Sequence, residues 1–452
     1  MKWLRNPMLY LIIFLACSGL RLVHFSALAG FKEFLDTAGY VTKATWPLWS
    51  SGERLGPLEG TAVWFLRGRS LTVPLFYKLV GSVSPSIATF QLFFSIVCWG
   101  LLALAVTTVV QTDLLKLTAF LIICLFSLSD QIVMWDGFLL SDSIALSLMV
   151  LFIANWLWLL KGWQWAKVML LLIVGFLWVF SRDTNAWVIL MLSCLLLAAG
   201  VVSSRRYLVL ATVFIAIFLM NEISQNYSKR WLTPFVNVIG KRILPDSRRT
   251  VYFERLGMPV TAEVMRMSGQ LAWSQNRFFY TEPTLNAFRA WVQTSGKTSY
   301  MRFMLAHPLT TIFEPFQNVE ELFAPRLKYY RAAGFSPILE GSLGEAVYPE
   351  KRPILLLWVP GVLLLLSFLA AGRSIKQIWI VPVFLIVLAY PHAALAWHGD
   401  SNDVGRHALL AGVHLRLGFW LLLICLGDLL LVSAREKWVL LGFSNRTAFP
   451  QD

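Results

Sequence analysis

Apolar residues in this chain come in unbroken runs rather than in the alternating or one-sided patterns of a fold that faces water. Met169 to Phe180 and Leu357 to Ala371 are such runs. A hydrocarbon core takes about 20 apolar residues per helix. On that ruler the pattern predicts about ten spans, at 7–28, 87–110, 115–130, 141–160, 166–181, 185–203, 207–222, 353–372, 377–397 and 409–433. Two connections are long. The first, 29–86, contains an amphipathic piece at Leu71 to Val80, and the second, 222–352, is rich in Arg, Glu, Pro and aromatics. Apolar residues recur at helical spacing in Asn286 to Leu305, so helices are expected there. The expected fold is an all-α polytopic membrane protein with a transmembrane module at 1–221, an extracytoplasmic insert at 222–352 resting on the membrane, a second transmembrane module at 353–433 and a tail at 434–452. The spans do not divide into matching halves, which counts against a secondary transporter.

Composition agrees. The chain is 57% hydrophobic and 14% charged, where soluble proteins carry about 25% charged residues. The net charge of +14 comes from 39 Lys and Arg spread between spans, which reads as membrane topology and contact with anionic lipid and not as a nucleic-acid surface. Lys116, Lys161, Lys167, Arg205, Arg206, Arg373, Lys376, Arg435 and Lys437 follow the even-numbered spans. The positive-inside rule places those ends, and both termini, in the cytoplasm. Lys2, Arg5 and the run Met8 to Ala16 imitate a signal peptide, but no small-residue cleavage site follows, so the segment is expected to stay as the first span. Cys17, Cys98, Cys124, Cys194 and Cys425 all lie in apolar stretches without metal or disulfide spacing. A bacterial inner membrane is the expected location.

Charges beside hydrocarbon are costly and persist mainly when paired or functional. Five places qualify, all on the outer side of this topology. Asp36 and Tyr40 lie just past the first span. Asp142 follows Ser141 at the start of the fourth, with Asp136 shortly before. Arg182 and Asp183 sit between two spans. Asp400, Asp403, Arg406 and His407 precede the last span, with His414 and Arg416 beyond. Arg21 and His24 share one helix face. A cavity lined by carboxylates and cations suits group transfer from a phosphate leaving group: a carboxylate accepts the acceptor's proton, and Arg or His neutralises the departing phosphate. Each place has a plainer reading, with Asp36 or Asp142 as helix N-caps, Arg21 reaching to the headgroups, and the other groups as solvated turns. No ligand spacing demands a metal, although Asp36 and Asp142 could share a divalent cation.

In this order the residues resemble the GT-C superfamily of integral membrane glycosyltransferases, which includes protein mannosyltransferases and lipid A aminoarabinose transferases. The resemblance rests on Asp36-Thr37-Ala38-Gly39-Tyr40 after the first span, on the basic stretch Arg67-Gly68-Arg69 to Tyr77, on Leu140-Ser141-Asp142-Ser143, and on Gly405-Arg406-His407, where His stands in place of an aromatic. No Trp-Trp-Asp-Tyr-Gly stretch is present, so en bloc transfer to Asn is not expected. The resemblance covers the membrane region and leaves 222–352 unmatched. It implies inverting transfer of one sugar from a polyprenyl-phosphate donor to a glycan, lipid or protein acceptor. Asp36 would be the base, Asp142 would orient the acceptor, and Arg182, Arg406 and His407 would hold the donor phosphate, with Tyr40, Arg21, His24, Asp136, Asp183, Asp400 and Asp403 lining the site. No resident cofactor is implied. The competing readings are an O-antigen ligase or polymerase, which depends on late outer cations more than on Asp36, a lipid-linked sugar transporter or flippase, and a membrane scaffold.

Overall fold

The computed structural model describes residues 2–27, 31–46, 64–202, 204–324, 336–351, 359–364, 366 and 379–440. Its principal helices are α1 (Pro7–Ala27), α2 (Leu35–Thr45), α3 (Thr72–Leu79), α4 (Ser84–Val109), α5 (Asp113–Phe126), α6 (Ser141–Lys161), α7 (Trp165–Val179), α8 (Asp183–Val202), α9 (Arg205–Ser228), α10 (Leu232–Val238), α11 (Ser247–Arg255), α12 (Lys297–Ala306), α13 (Pro308–Gln317), α14 (Val319–Phe323), α15 (Ile380–Gly399), α16 (Val404–His407) and α17 (Leu409–Leu440). Among the described residues there is no strand, only an isolated bridge between Lys32 and Phe138. The chain is an all-α polytopic membrane protein.

Among the described residues seven helices are long and apolar enough to cross a membrane: α1, α4, α6, α8, α9, α15 and α17. The span expected at 115–130 ends early, as α5 with 14 residues, whereas α7 with 15 residues follows the span expected at 166–181. In α5 the reason is local. The helix closes at Phe126, the Ser127 hydroxyl donates to the Cys124 carbonyl, and residues 127–140 fold into buried turns around one short helical turn, Asp130–Val133, instead of continuing α5. Hydropathy alone cannot see that break, because Leu125, Phe126 and Leu128 continue the apolar run across it. The span expected at 353–372 falls mostly outside the described residues.

The bundle packs in pairs, α4 on α6, α8 on α9 and α15 on α17. α6 is the central element, buried along most of its length and on all sides, as its uniformly apolar sequence requires. Residues 235–303 form a separate core around Phe253, Phe288 and Trp291, so the insert has an interior of its own. Helical structure over Asn286–Ala306 agrees with its periodicity, and so does α3 with the amphipathic piece around residue 75. The insert is tied to the end of α15. Tyr300 Oη lies 3.0 Å from His398 Nδ1, and the Arg242 guanidinium stacks 3.7 Å from the centroid of the Trp397 ring.

Candidate active site

The helix that carries Asp36 is fixed at its start by Thr37. The Thr37 hydroxyl accepts from the Phe34 N–H at 2.9 Å and donates to the Leu139 carbonyl at 2.7 Å, which ties α2 to the turn leading into α6. Asp36 therefore sits in the first turn and not at the N-cap, which is Phe34. One turn on, Tyr40 is buried, and the Arg69 guanidinium lies over its ring at 5.2 Å while donating to Asp36 Oδ1 at 2.5 Å. Gly39 makes this possible: a Cβ there would stand 2.9 Å from Arg69 Nε.

Asp142 opens α6 and has no exposed surface. Its two oxygens hold two arginines from distant parts of the chain, Arg182 Nη1 at 2.8 Å and Arg406 Nε at 3.1 Å. Arg406 also reaches Asp36, with Nη1 3.6 Å from Oδ2. Arg182 Nη2 lies 3.0 Å from His407 Nδ1. Because a guanidinium can only donate, His407 Nδ1 is the acceptor, and in the neutral ring the proton resides on Nε2. That atom faces Asp400 Oδ2 at 3.6 Å. Asp400 in turn accepts from Asn237 Nδ2 at 2.8 Å and from the backbone N–H groups of Ser401 and Asn402. A continuous polar chain thus runs from Arg69 through Asp36, Arg406, Asp142, Arg182 and His407 to Asp400.

Within this chain Asp36 is the most open acid. Its side chain is 38% exposed, against none for Asp142. Burial pushes the Asp36 carboxyl up, but the charges of Arg69 and Arg406 and the Arg69 hydrogen bond prevail and hold it below its ordinary value. Asp400 behaves alike: burial raises it, and the bonds from His407 and Asn237 bring it below the usual range. Both acids are poised as carboxylates at neutral pH.

Several expected residues lie elsewhere. Arg21 and Asp136 form their own closed pair, with Nε to Oδ2 at 2.7 Å and Nη2 to Oδ1 at 3.0 Å, and Ser95 accepts from the same guanidinium. Arg21 therefore turns into the bundle instead of reaching outward. His24, on the same helix, is partnered by the Ser336 carbonyl. Asp183 pairs with Arg230 through two bonds of 2.9 and 3.0 Å. Asp403 supplies a left-handed residue, φ 49°, at the start of α16. His414 is buried against Trp178 and His392, away from the acid chain.

The structure also brings in residues that sequence reasoning did not select. Arg69 was visible only as part of a basic stretch, and Asn237 had no sequence signal because its role depends on the insert folding back onto Asp400. Lys43, buried beside Trp64, donates to the Arg69 carbonyl. Burial, aided by the Arg230 charge and opposed by Asp183, brings its ammonium down to about 7. Among the described residues no group of three or more His, Cys, Asp and Glu gathers as metal ligands.

No protein-family profile matches this chain, and no curated protein does. Among solved structures it is similar to the archaeal oligosaccharyltransferase AglB from Archaeoglobus fulgidus, in complex with an inhibitory peptide and a dolichol-phosphate, with a TM-score of 0.42 and 12% identity. The match covers 98% of this chain and 52% of that one, so the chain spans about half the length of that enzyme. At that score and identity, function has to be read from the geometry of this chain.

Proposed function

We propose that this chain is a membrane glycosyltransferase that moves one sugar from a polyprenyl-phosphate donor to an acceptor hydroxyl. The observation that carries the reading is Arg406, which joins an open carboxylate, Asp36, to a buried one, Asp142. An open acid next to a fixed cation provides both halves of the reaction at one place.

In the proposed step the acceptor O–H gives its proton to Asp36 while its oxygen attacks the anomeric carbon of the sugar. The carbon–oxygen bond to phosphate breaks with its electron pair, and the configuration inverts. Polyprenyl phosphate leaves with one more negative charge than the donor carried, and Arg406 with Arg182 and His407 stabilises that charge by charge-assisted bonds. Asp142 acts as a positioning residue. With no exposed surface it cannot reach an acceptor, but it fixes both guanidiniums so that they need no reorganisation during transfer. The lowered Asp36 carboxyl keeps the base ionised throughout the physiological range. The polyprenyl tail lies in the bilayer beside the site, and the positive-inside pattern directs the site outward, away from cytoplasmic termini.

The test is mass spectrometry on the purified protein with a panel of polyprenyl-phosphate sugars, reading free polyprenyl phosphate. Release by the wild type that Asp36→Asn abolishes supports the reading and identifies the donor. Release that is indifferent to Asp36 and depends instead on a pyrophosphate-linked oligosaccharide sinks it in favour of a ligase.

A further inference from the structure

The second half of the insert does not stay on the surface of the bundle. Thr311 on α13 meets the end of α15, its carbonyl 2.9 Å from His398 Nε2. Further along α13, Phe316 packs on Tyr390 with ring centroids 6.1 Å apart, and Phe323 at the end of α14 packs on the same ring at 6.2 Å. Tyr390 lies about 13 Å of helical rise inside the Gly399 end of α15. The chain therefore descends along a membrane helix from His398 to Tyr390, through close to half of a hydrocarbon core of about 30 Å.

The partners at that depth have the chemistry such a descent requires. Irregular backbone at membrane depth survives only where protein satisfies its polar groups. Arg416, about 10 Å of rise inside the start of α17, is buried and donates Nη2 to the Phe323 carbonyl at 2.6 Å and to the Pro349 carbonyl at 2.7 Å. Deeper on the same helix, Trp420 Nε1 donates to the Val347 carbonyl at 2.9 Å. The Phe323, Val347 and Pro349 carbonyls are thus each capped by a side chain of α17.

The faces of α13 divide accordingly. Thr311 and Glu314 look inward, Glu314 holding Arg249 of the insert by two bonds of 2.9 and 3.1 Å. Leu309, Ile312 and Phe313 form a stripe on the other side, with Leu305 before them on α12. All four are exposed, Leu305 at 80% and Leu309 at 70%. α13 packs on α15, whose Val387 is likewise an exposed apolar position of a membrane helix.

We propose that residues 305–323 form a re-entrant segment seated in the leaflet on the site-bearing side, with Leu305, Leu309, Ile312 and Phe313 in contact with lipid acyl chains. Glu320 and Glu321, exposed on α14, then face the aqueous side, because carboxylates in hydrocarbon are costly. α14 packs on α16, which carries Arg406 and His407, so the segment forms a wall between bilayer and site.

The test places the photoreactive residue p-benzoylphenylalanine at position 309 or 313 of the full chain, reconstituted in vesicles of phosphatidylethanolamine and phosphatidylglycerol. Position 387 serves as a membrane reference and position 255 as an aqueous one. Illumination should give lipid adducts at 309 and 313 in yields close to those at 387, with none at 255. Positions 309 and 313 as free of lipid as 255, in protein that still crosslinks at 387, would overturn the proposal. Should either variant fail to fold, lipid adducts at position 312 answer the same question from the same stripe.

Discussion

Two guanidinium–carboxylate pairs at the same end of the bundle have the same chemistry and opposite surroundings. In Arg21–Asp136 both side chains are 2% exposed. In Arg406–Asp36 the cation is nearly buried but the acid is 38% exposed. The first pair is a closed joint between α1 and the turn before α6, surrounded by Ser95 and Ser143. Each desolvated charge there depends on its partner, because removing one leaves the other unpaired in a low-dielectric interior. The second pair has one end anchored through Asp142 and one end open to a ligand. Charge at the edge of hydrocarbon is therefore informative only once its exposure is known: a closed pair holds the fold, and a half-open pair can exchange its partner.

The variant that most severely tests this contrast is Asp142→Asn. It leaves Arg182 and Arg406 without their shared carboxylate, so it should cost about 3–5 kcal/mol of stability and also abolish donor turnover. Thermal melting of the detergent-solubilised protein reads the first effect, and the polyprenyl-phosphate assay reads the second. Asp36→Asn should separate them. Turnover falls about 10²–10⁴-fold, the range for a lost general base, while the melting temperature stays put. A matching loss of stability would place Asp36 with the closed pairs.

The opposite separation is expected at the other pair. Arg21→Met alone strands Asp136 and should lower the melting temperature, whereas Arg21→Met with Asp136→Leu regains most of the loss, since an apolar pair has no charge to desolvate. Turnover per folded molecule should be unchanged in the double variant; a collapse of kcat there would move Arg21 and Asp136 into the catalytic machinery. The smallest effect is expected from Arg69→Ala. Asp36 is held below its ordinary value of about 3.9 by Arg69 and Arg406. Removing Arg69 lets it protonate at a higher pH, so the acid limb of kcat/KM moves up in pH, while the rate near pH 7 changes little. An acid limb that stays in place would mean that Arg69 does not act on the base.

Much of the candidate site was legible because membrane chains restrict where charge can lie. Asp36, Asp142, Arg182, Arg406, His407 and Asp400 all stood at span ends, and the fold joins them into one chain of contacts. Arg21 and Asp136 satisfied the same criterion and belong elsewhere. Arg69 and Asn237 escaped selection because nothing in their immediate neighbours marks them. Arg69 is noticed only when α2 lies beneath it with Gly39 at the contact, and Asn237 only when the insert meets the end of α15.

What the amino-acid sequence determined by itself is the solvent and the type of element. Long apolar runs lower the free energy of a helix in hydrocarbon whatever their neighbours, and the cost of desolvating charge keeps most ionisable residues near the ends of those runs. Both effects are local and can be read from one segment at a time. Only the tertiary structure decided which acid met which arginine, that one apolar run broke at Phe126, and that the insert turned back along α15. Those outcomes depend on pairs such as Asp142 with Arg406, 264 residues apart, whose energies arise only when packing has brought them together and removed the water between them.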